Sequence, residues 1–79
     1  MKTATNKIEG LIILEPKVHQ DNRGYFFESF RSNIITLNKY KFVQENESLS
    51  SRGTLRGLHF QSPPFAQTKL VRVVSGSVY

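Results

Sequence analysis

The stretch QDNRGYFFESF, from Gln20 to Phe30, decides which class of fold this sequence favours. It opens with Gln20–Gly24, a cluster of turn formers whose side chains bond the local backbone or, for glycine, allow positive φ angles. It continues with Tyr25–Phe30, an aromatic-rich segment of the kind enriched in β-strands. A reversal followed at once by a strand predicts antiparallel β-structure here.

Further short segments of strand-like composition flank this stretch, with turn signals between them. They are residues 10–16, which end at a proline, and residues 42–46, 54–61 and 69–74. Ser32 is a suitable N-cap for one short helix through Leu37. Short strands at a spacing of roughly ten residues predict an all-β fold, an antiparallel sandwich or barrel, rather than alternating β and α units.

The length and the composition predict that the chain needs support from elsewhere. Seventy-nine residues allow one domain at most, and a core of this size rarely supplies more than about 3–5 kcal/mol. The absence of Cys excludes disulfides and thiolate zinc sites. Val78 and Tyr79 resume a strand without a return partner. We therefore interpret residues 1–79 as the amino-terminal part of a single domain, truncated after Tyr79.

The charge and the hydropathy pattern argue against nucleic acid and membrane partners. The net charge is +5, but the basic residues form no run, stripe or tail. A small nucleic-acid binder that stacks bases on its aromatic side chains is therefore the weakest alternative. The longest apolar run, Leu11–Leu14, is too short for a membrane span or a secretory signal. We expect a cytoplasmic protein.

His59 is the first candidate for chemistry, either as a histidine hydrogen-bonded in or near a core or as a general base. On a regular strand His59 and Arg56 face opposite ways, so a shared pocket requires a bulge, which Gly57 would permit. A histidine metal site is not favoured, because Gln61 occupies the position two residues on, where a second ligand would stand.

Three charged residues are open to two interpretations each. Lys69 leads an apolar strand face, where its amine either snorkels to water or stabilises negative charge on an oxygen. Glu28 lies on one face with two aromatic residues, either at a wet strand edge or as an acceptor for a ligand. Arg23 is either a solvated loop residue or a phosphate ligand brought close by the following glycine.

Four segments of the sequence, taken together in their order and spacing, point to one interpretation of these residues. They are residues 21–30, 42–46, 55–61 and 63–73. Together they resemble the amino-terminal part of the dTDP-4-dehydrorhamnose 3,5-epimerase family. The resemblance implies a cupin-type β jelly roll that forms a homodimer with strand exchange. It also implies epimerisation of dTDP-4-dehydro-6-deoxyglucose at C3 and C5 through enolates, without a metal or an organic cofactor.

The resemblance also implies site residues. His59 matches the family's base, and Lys69 matches a lysine at the substrate site that is suited to stabilise the enolate oxygen. Residues that match positions holding the nucleotide sugar are Arg23, Glu28, Gln44, Glu45, Asn46, Arg56 and again Lys69. Glu45 and Glu47 stand where the family usually has Asp and His.

The family's tyrosine acid and the carboxylate that orients the base would lie beyond Tyr79. We therefore expect the 79-residue chain alone to be inactive or nearly so. The alternative is a nonenzymatic module, a truncated jelly roll that dimerises and binds an anionic nucleotide-type ligand.

Overall fold

The computed structural model describes residues 2–4, 6–34 and 39–79, and these contain two small antiparallel sheets. The strands are β1 (Lys2–Ala4), β2 (Ile13–Glu15), β3 (His19–Asp21) and β4 (Gly24–Phe26). β1 pairs with β2, and β3 pairs with β4. All four lie in the first of two units, Met1–Val43, and the second unit is Gln44–Tyr79. The described residues thus confirm antiparallel β-structure, and the finer prediction of a jelly roll stays a prediction.

In the β1–β2 hairpin, one asparagine side chain makes two hydrogen bonds to the backbone of the connection between the strands. Asn6 Oδ1 accepts a hydrogen bond from the backbone N–H of Ile8 at 2.8 Å, and Asn6 Nδ2 donates to the carbonyl oxygen of Leu11 at 2.7 Å. This side chain satisfies backbone groups that the connection would otherwise leave to water. β1 is largely polar, and its composition does not predict a strand.

The β3–β4 hairpin confirms the reversal predicted at 20–24. His19 pairs with Phe26, Gln20 with Tyr25, and Asp21 with Gly24. The two residues between the strands keep negative φ angles, and the positive φ, 142°, falls at Gly24. L residues rarely adopt that φ, so glycine is the residue this reversal requires. β4 ends at Phe26 and is shorter than the predicted strand through Phe30.

Beyond β4 the described residues of the first unit have one buried apolar side chain and two aromatic ring contacts. Ile34 is buried, with 8% of its surface exposed. Phe30 and Phe42 pack edge to face with ring centroids 5.7 Å apart, and Tyr40 lies 6.3 Å from Phe42. Such aromatic pairs add modestly to the burial of apolar surface. Ile34 is the buried apolar residue among the described ones.

The short helix predicted from Ser32 through Leu37 is not seen in the described residues. The carbonyl oxygen of Arg31 accepts a hydrogen bond from the backbone N–H of Ile34 at 3.3 Å, which closes a single turn. The remainder of the predicted helix, at 35–38, lies outside the described residues.

The second unit contains no strand, so the strands predicted at 54–61 and 69–74 are wrong for this structure. Residues 42–46, which the sequence suggests are extended, likewise have no strand partner. A strand exists only where a neighbour completes its ladder of hydrogen bonds. Residues 44–79 instead show local turns, such as Ser62–Phe65, where the carbonyl oxygen accepts from the N–H three residues on at 2.8 Å. The segments of this unit with strand-like composition therefore have no strand partner within it.

No helix in the described residues is long and apolar enough to cross a bilayer.

Candidate functional site

The turn between β3 and β4 has three hydrogen bonds between one aspartate and one arginine. Asp21 Oδ1 accepts a hydrogen bond from the backbone N–H of Arg23 at 2.9 Å. Asp21 Oδ2 accepts from the Arg23 side chain twice, from Nη2 at 2.7 Å and from Nε at 3.2 Å. One carboxylate therefore fixes both the turn backbone and the guanidinium of the residue two positions later.

This pairing changes the acidity of the carboxyl group. The side-chain hydrogen bonds from Arg23, followed by its backbone N–H, hold the pKa of Asp21 below its ordinary value of 3.8. Donors that favour the charged form of a carboxyl lower its pKa. Asp21 is therefore ionised at neutral pH and remains a partner for the guanidinium.

The turn forms one end of an open concavity of about 450 Å³ on the β3–β4 hairpin. Its lining residues are His19, Gln20, Asp21, Arg23, Gly24, Tyr25 and Phe26. The His19 and Phe26 rings face each other across the strands with centroids 6.5 Å apart. The concavity therefore combines one guanidinium with aromatic surface, a combination that suits a ligand with both a ring and a negative charge.

Glu28 lies beyond the end of β4 and is paired with a cation. Its Oε1 lies 3.2 Å from Nε of Arg31, and both side chains are more than half exposed. An ion pair this exposed contributes little to stability. Glu28 is exposed beyond the end of the strand rather than at a strand edge, and its role as an acceptor for a ligand stays a prediction.

The other predicted site residues lie in the second unit and are all exposed. They are Gln44, Glu45, Asn46, Arg56, His59 and Lys69. Arg56 is the one that contacts the backbone of its own unit, since its Nη2 donates to the carbonyl oxygen of Leu49 at 3.3 Å. The arginine thereby connects two segments of residues 44–79.

His59 and Lys69 are exposed and are not brought together by any hydrogen bond or ion pair in the described part of the second unit. Between Arg56 and His59 the backbone is irregular, with a φ of 148° at Gly57. The ring of His59 is therefore accessible to solvent rather than packed in an interior. The predicted roles of both residues stay predictions.

The described residues contain no group of three or more His, Cys, Asp or Glu side chains placed to hold a metal ion.

Comparison with known proteins assigns the family. The family model for dTDP-4-dehydrorhamnose 3,5-epimerase matches residues 5–79. This chain belongs to that family. No solved structure matches it significantly.

Relatives with curated names agree with the family assignment. A dTDP-4-dehydrorhamnose 3,5-epimerase of Shigella flexneri is 46% identical over all of this chain and 45% of its own length. One from Methanothermobacter thermautotrophicus is 51% identical over 91% of this chain and 40% of its own length. One from Escherichia coli is 46% identical over all of this chain and 44% of its own length. The chain therefore spans less than half the length of the curated relatives it matches.

Asp21 is the residue of this site that sequence reasoning treated only as a turn former. The signal that could have identified it is its position two residues before Arg23 within a turn, where an Asp side chain commonly bonds the local backbone. Its contact with the guanidinium follows from that short spacing.

Proposed function

We propose that the protein carrying this chain is a dTDP-4-dehydrorhamnose 3,5-epimerase, an isomerase of dTDP-rhamnose biosynthesis. The match of the family model across residues 5–79 is the observation that carries the proposal. Relatives between 46% and 51% identical that bear this name support it. The substrate is dTDP-4-dehydro-6-deoxyglucose, and the product is dTDP-4-dehydrorhamnose.

The reaction inverts the two carbons that flank a ketone. A base removes the proton from a carbon next to the carbonyl, an enolate forms, and a proton returns from the opposite face. His59 is the proposed base, since an imidazole titrates near neutral pH and can both take and hold a proton there. Its exposed ring is accessible to a ligand.

Lys69 is proposed to stabilise the enolate oxygen. An ammonium group aimed at the developing negative charge lowers the energy of the intermediate without itself giving up a proton. Its side chain is exposed in the second unit, as that of His59 is. A base and a cation are the two groups that the first half-reaction needs.

The nucleotide sugar is proposed to be held by the residues that match the family's substrate positions. They are Arg23, Glu28, Gln44, Glu45, Asn46, Arg56 and Lys69. Arginine offers paired donors that match the oxygens of a diphosphate, and amide or carboxylate side chains accept and donate hydrogen bonds to the base and the sugar. The concavity beside Arg23 supports this assignment, because it sets aromatic surface next to a guanidinium.

The remaining parts of the proposal concern the whole protein. It folds as a cupin-type jelly roll, forms a homodimer with strand exchange, and works in the cytoplasm without a metal or an organic cofactor. The large apolar surface that residues 44–79 leave exposed supports a need for further strands from the same or a second chain.

The test is conversion of the substrate by the full-length protein in deuterated water, followed by NMR. We expect deuterium at both carbons beside the ketone and inversion at both. Incorporation at one carbon alone would reduce the assignment to a single-site epimerase, and no incorporation would refute it.

A second candidate function is a nonenzymatic module that dimerises through open sheet edges and binds an anionic nucleotide. The exposed apolar side chains of the second unit, among them Leu55 and Leu58, favour it for the 79-residue chain taken alone. Calorimetry of that chain with dTDP separates the two candidates. Binding without exchange supports the module, and turnover by the chain alone excludes it.

A further inference from the structure

We propose that Asp21 is a positioning residue, which holds one edge of the Arg23 guanidinium so that the opposite edge faces the diphosphate of the nucleotide. This inference rests on the proposed function, because it takes dTDP as the ligand. It concerns a residue that the sequence pattern indicates only as a turn former.

The argument starts from the donors of the guanidinium. An arginine side chain has five N–H donors arranged on two edges that can each bind an oxyanion. Asp21 Oδ2 accepts from Nε and Nη2, so it occupies the edge nearest the backbone. The outer edge, formed by Nη1 and the second N–H of Nη2, stays directed away from the carboxylate. A diphosphate oxygen pair matches that outer edge.

The second step concerns the cost of ordering the side chain. Arg23 is 88% exposed, so without a partner its long side chain would sample many rotamers. Binding a ligand would then require that freedom to be lost. The Asp21 carboxylate removes much of this freedom before the ligand binds, because it accepts hydrogen bonds from both the side chain and the backbone N–H of Arg23. Preorganisation of this kind strengthens binding.

Simple electrostatics makes the opposite prediction, which makes the proposal testable. A carboxylate this close to the guanidinium cancels part of its positive charge and repels a diphosphate. If charge alone decided the affinity, removing the carboxylate would tighten binding. If positioning decides it, removal weakens binding.

Asp21→Asn is the selective variant. The asparagine oxygen can still accept from the backbone N–H of Arg23, so the turn is kept, while the NH2 group that replaces Oδ2 is a donor and cannot accept from the guanidinium. Glu9→Gln is the matched control, because it removes one exposed negative charge elsewhere in the first unit. Both variants are compared with the wild type in the full-length protein by calorimetry with dTDP.

We expect Asp21→Asn to weaken dTDP binding about two- to tenfold, the range set by ordering one long side chain, and Glu9→Gln to leave it unchanged. KM for the nucleotide sugar should rise by a similar factor while kcat changes little, a split that a general loss of folding would not produce. In the background of Arg23→Ala, Asp21→Asn should have no further effect, because the group it positions is gone.

Several results would overturn the inference. Unchanged or tighter binding in Asp21→Asn refutes positioning and favours the charge argument. If Asp21→Asn lowers dTDP affinity equally in the wild type and in Arg23→Ala, Asp21 is a structural turn residue and does not position the guanidinium. If Asp21→Asn does not fold, Arg23→Lys is tested in its place. A lysine ammonium cannot bind the Asp21 carboxylate and a diphosphate with two separate edges as a guanidinium can, so we expect Arg23→Lys to weaken dTDP binding nearly as much as Arg23→Ala does. Near-wild-type affinity for dTDP in Arg23→Lys would contradict the inference.

The failure of this inference is distinguishable from that of the proposed function. If the wild type binds dTDP and Arg23→Ala weakens it while Asp21→Asn does not, only the positioning role falls. If the wild type binds no dTDP, the proposed function falls together with it.

Discussion

At the scale of single residues, the turn at Asp21–Gly24 shows that residues two positions apart can make several hydrogen bonds to each other. A carboxylate two residues before an arginine satisfies a backbone N–H and a guanidinium together. This arrangement needs no distant partner, so it depends only on local sequence. Within the proposed site, the Asp21–Arg23 contact can be tested directly by substitution and by NMR titration.

Arg23→Ala should weaken dTDP binding by about 10- to 100-fold, as expected for the loss of charge-assisted hydrogen bonds to an anion. kcat at saturating substrate should change much less, because Arg23 is not proposed to touch the reacting carbons. Titration calorimetry and steady-state kinetics of the full-length protein measure both quantities. Arg52→Ala removes an exposed arginine to which no role is assigned, and an equal loss there would contradict a specific role for Arg23.

The Asp21–Arg23 pair also predicts a pH dependence. The pKa of Asp21 is lowered in the folded chain, so its contribution is present above the ordinary value of 3.8 and is lost as the pH falls through the lowered pKa. NMR titration of the Asp21 carboxyl carbon should give a midpoint below 3.8 in the wild type and one closer to it in Arg23→Ala. A midpoint that Arg23→Ala leaves unchanged would show that the pair does not form in solution.

At the scale of elements, the hairpins form where the sequence specifies both the turn and the partner strand. The reversal at 20–24 was predicted because the turn residues and the following aromatic run are adjacent, and the structure confirms it. Strand pairing at 54–61 and 69–74 was predicted from the same kind of composition, yet these segments have no paired strand. Composition indicates that a segment can form a strand, but pairing requires a neighbour that no local pattern identifies.

Gly24→Ala should destabilise the β3–β4 hairpin. A Cβ at Gly24 would meet no atom within 4 Å, so the cost comes from the backbone, whose φ of 142° is strained for an L residue. We expect a loss of roughly 1–2 kcal/mol in the free energy of unfolding of the full-length protein. Denaturant unfolding measures it, with Asn22→Ala as the control at a neighbouring position of negative φ. Equal stability of the two variants would contradict the observed turn.

At the scale of the whole molecule, the chain leaves much of its apolar surface exposed. Its accessible surface is 8487 Å², whereas a compact protein of 9.1 kDa exposes roughly 4900 Å². Large apolar side chains such as Leu49 and Phe60 are left almost entirely in water. The excess surface gives a physical reason for the predicted dependence on further chain or a second copy.

The 79-residue chain in isolation should therefore unfold without a sharp cooperative transition and should self-associate as its concentration rises. Sedimentation velocity over a wide concentration range and thermal melting followed by circular dichroism measure these properties. A monomer at every concentration with a sharp melting transition would show that the chain builds a core of its own.

The proposed site illustrates the same limit of sequence reasoning. The Asp21–Arg23 contact depends on local spacing and was within reach of the sequence. A pocket shared by His59 and Lys69 depends on how segments ten residues apart fold back on each other, which strand composition does not determine. The family resemblance assigned their roles where periodicity left two interpretations open for each.

The most direct test of the account is whether His59 acts as the base. The full-length protein and its His59→Ala variant are incubated with dTDP-4-dehydro-6-deoxyglucose in deuterated water, with Gln61→Ala as a control in the same segment. We predict that His59→Ala slows deuterium incorporation by about 10²- to 10⁴-fold, with dTDP affinity close to that of the wild type. Exchange at the wild-type rate, or a loss of dTDP affinity as large as the loss of rate, would contradict the assignment.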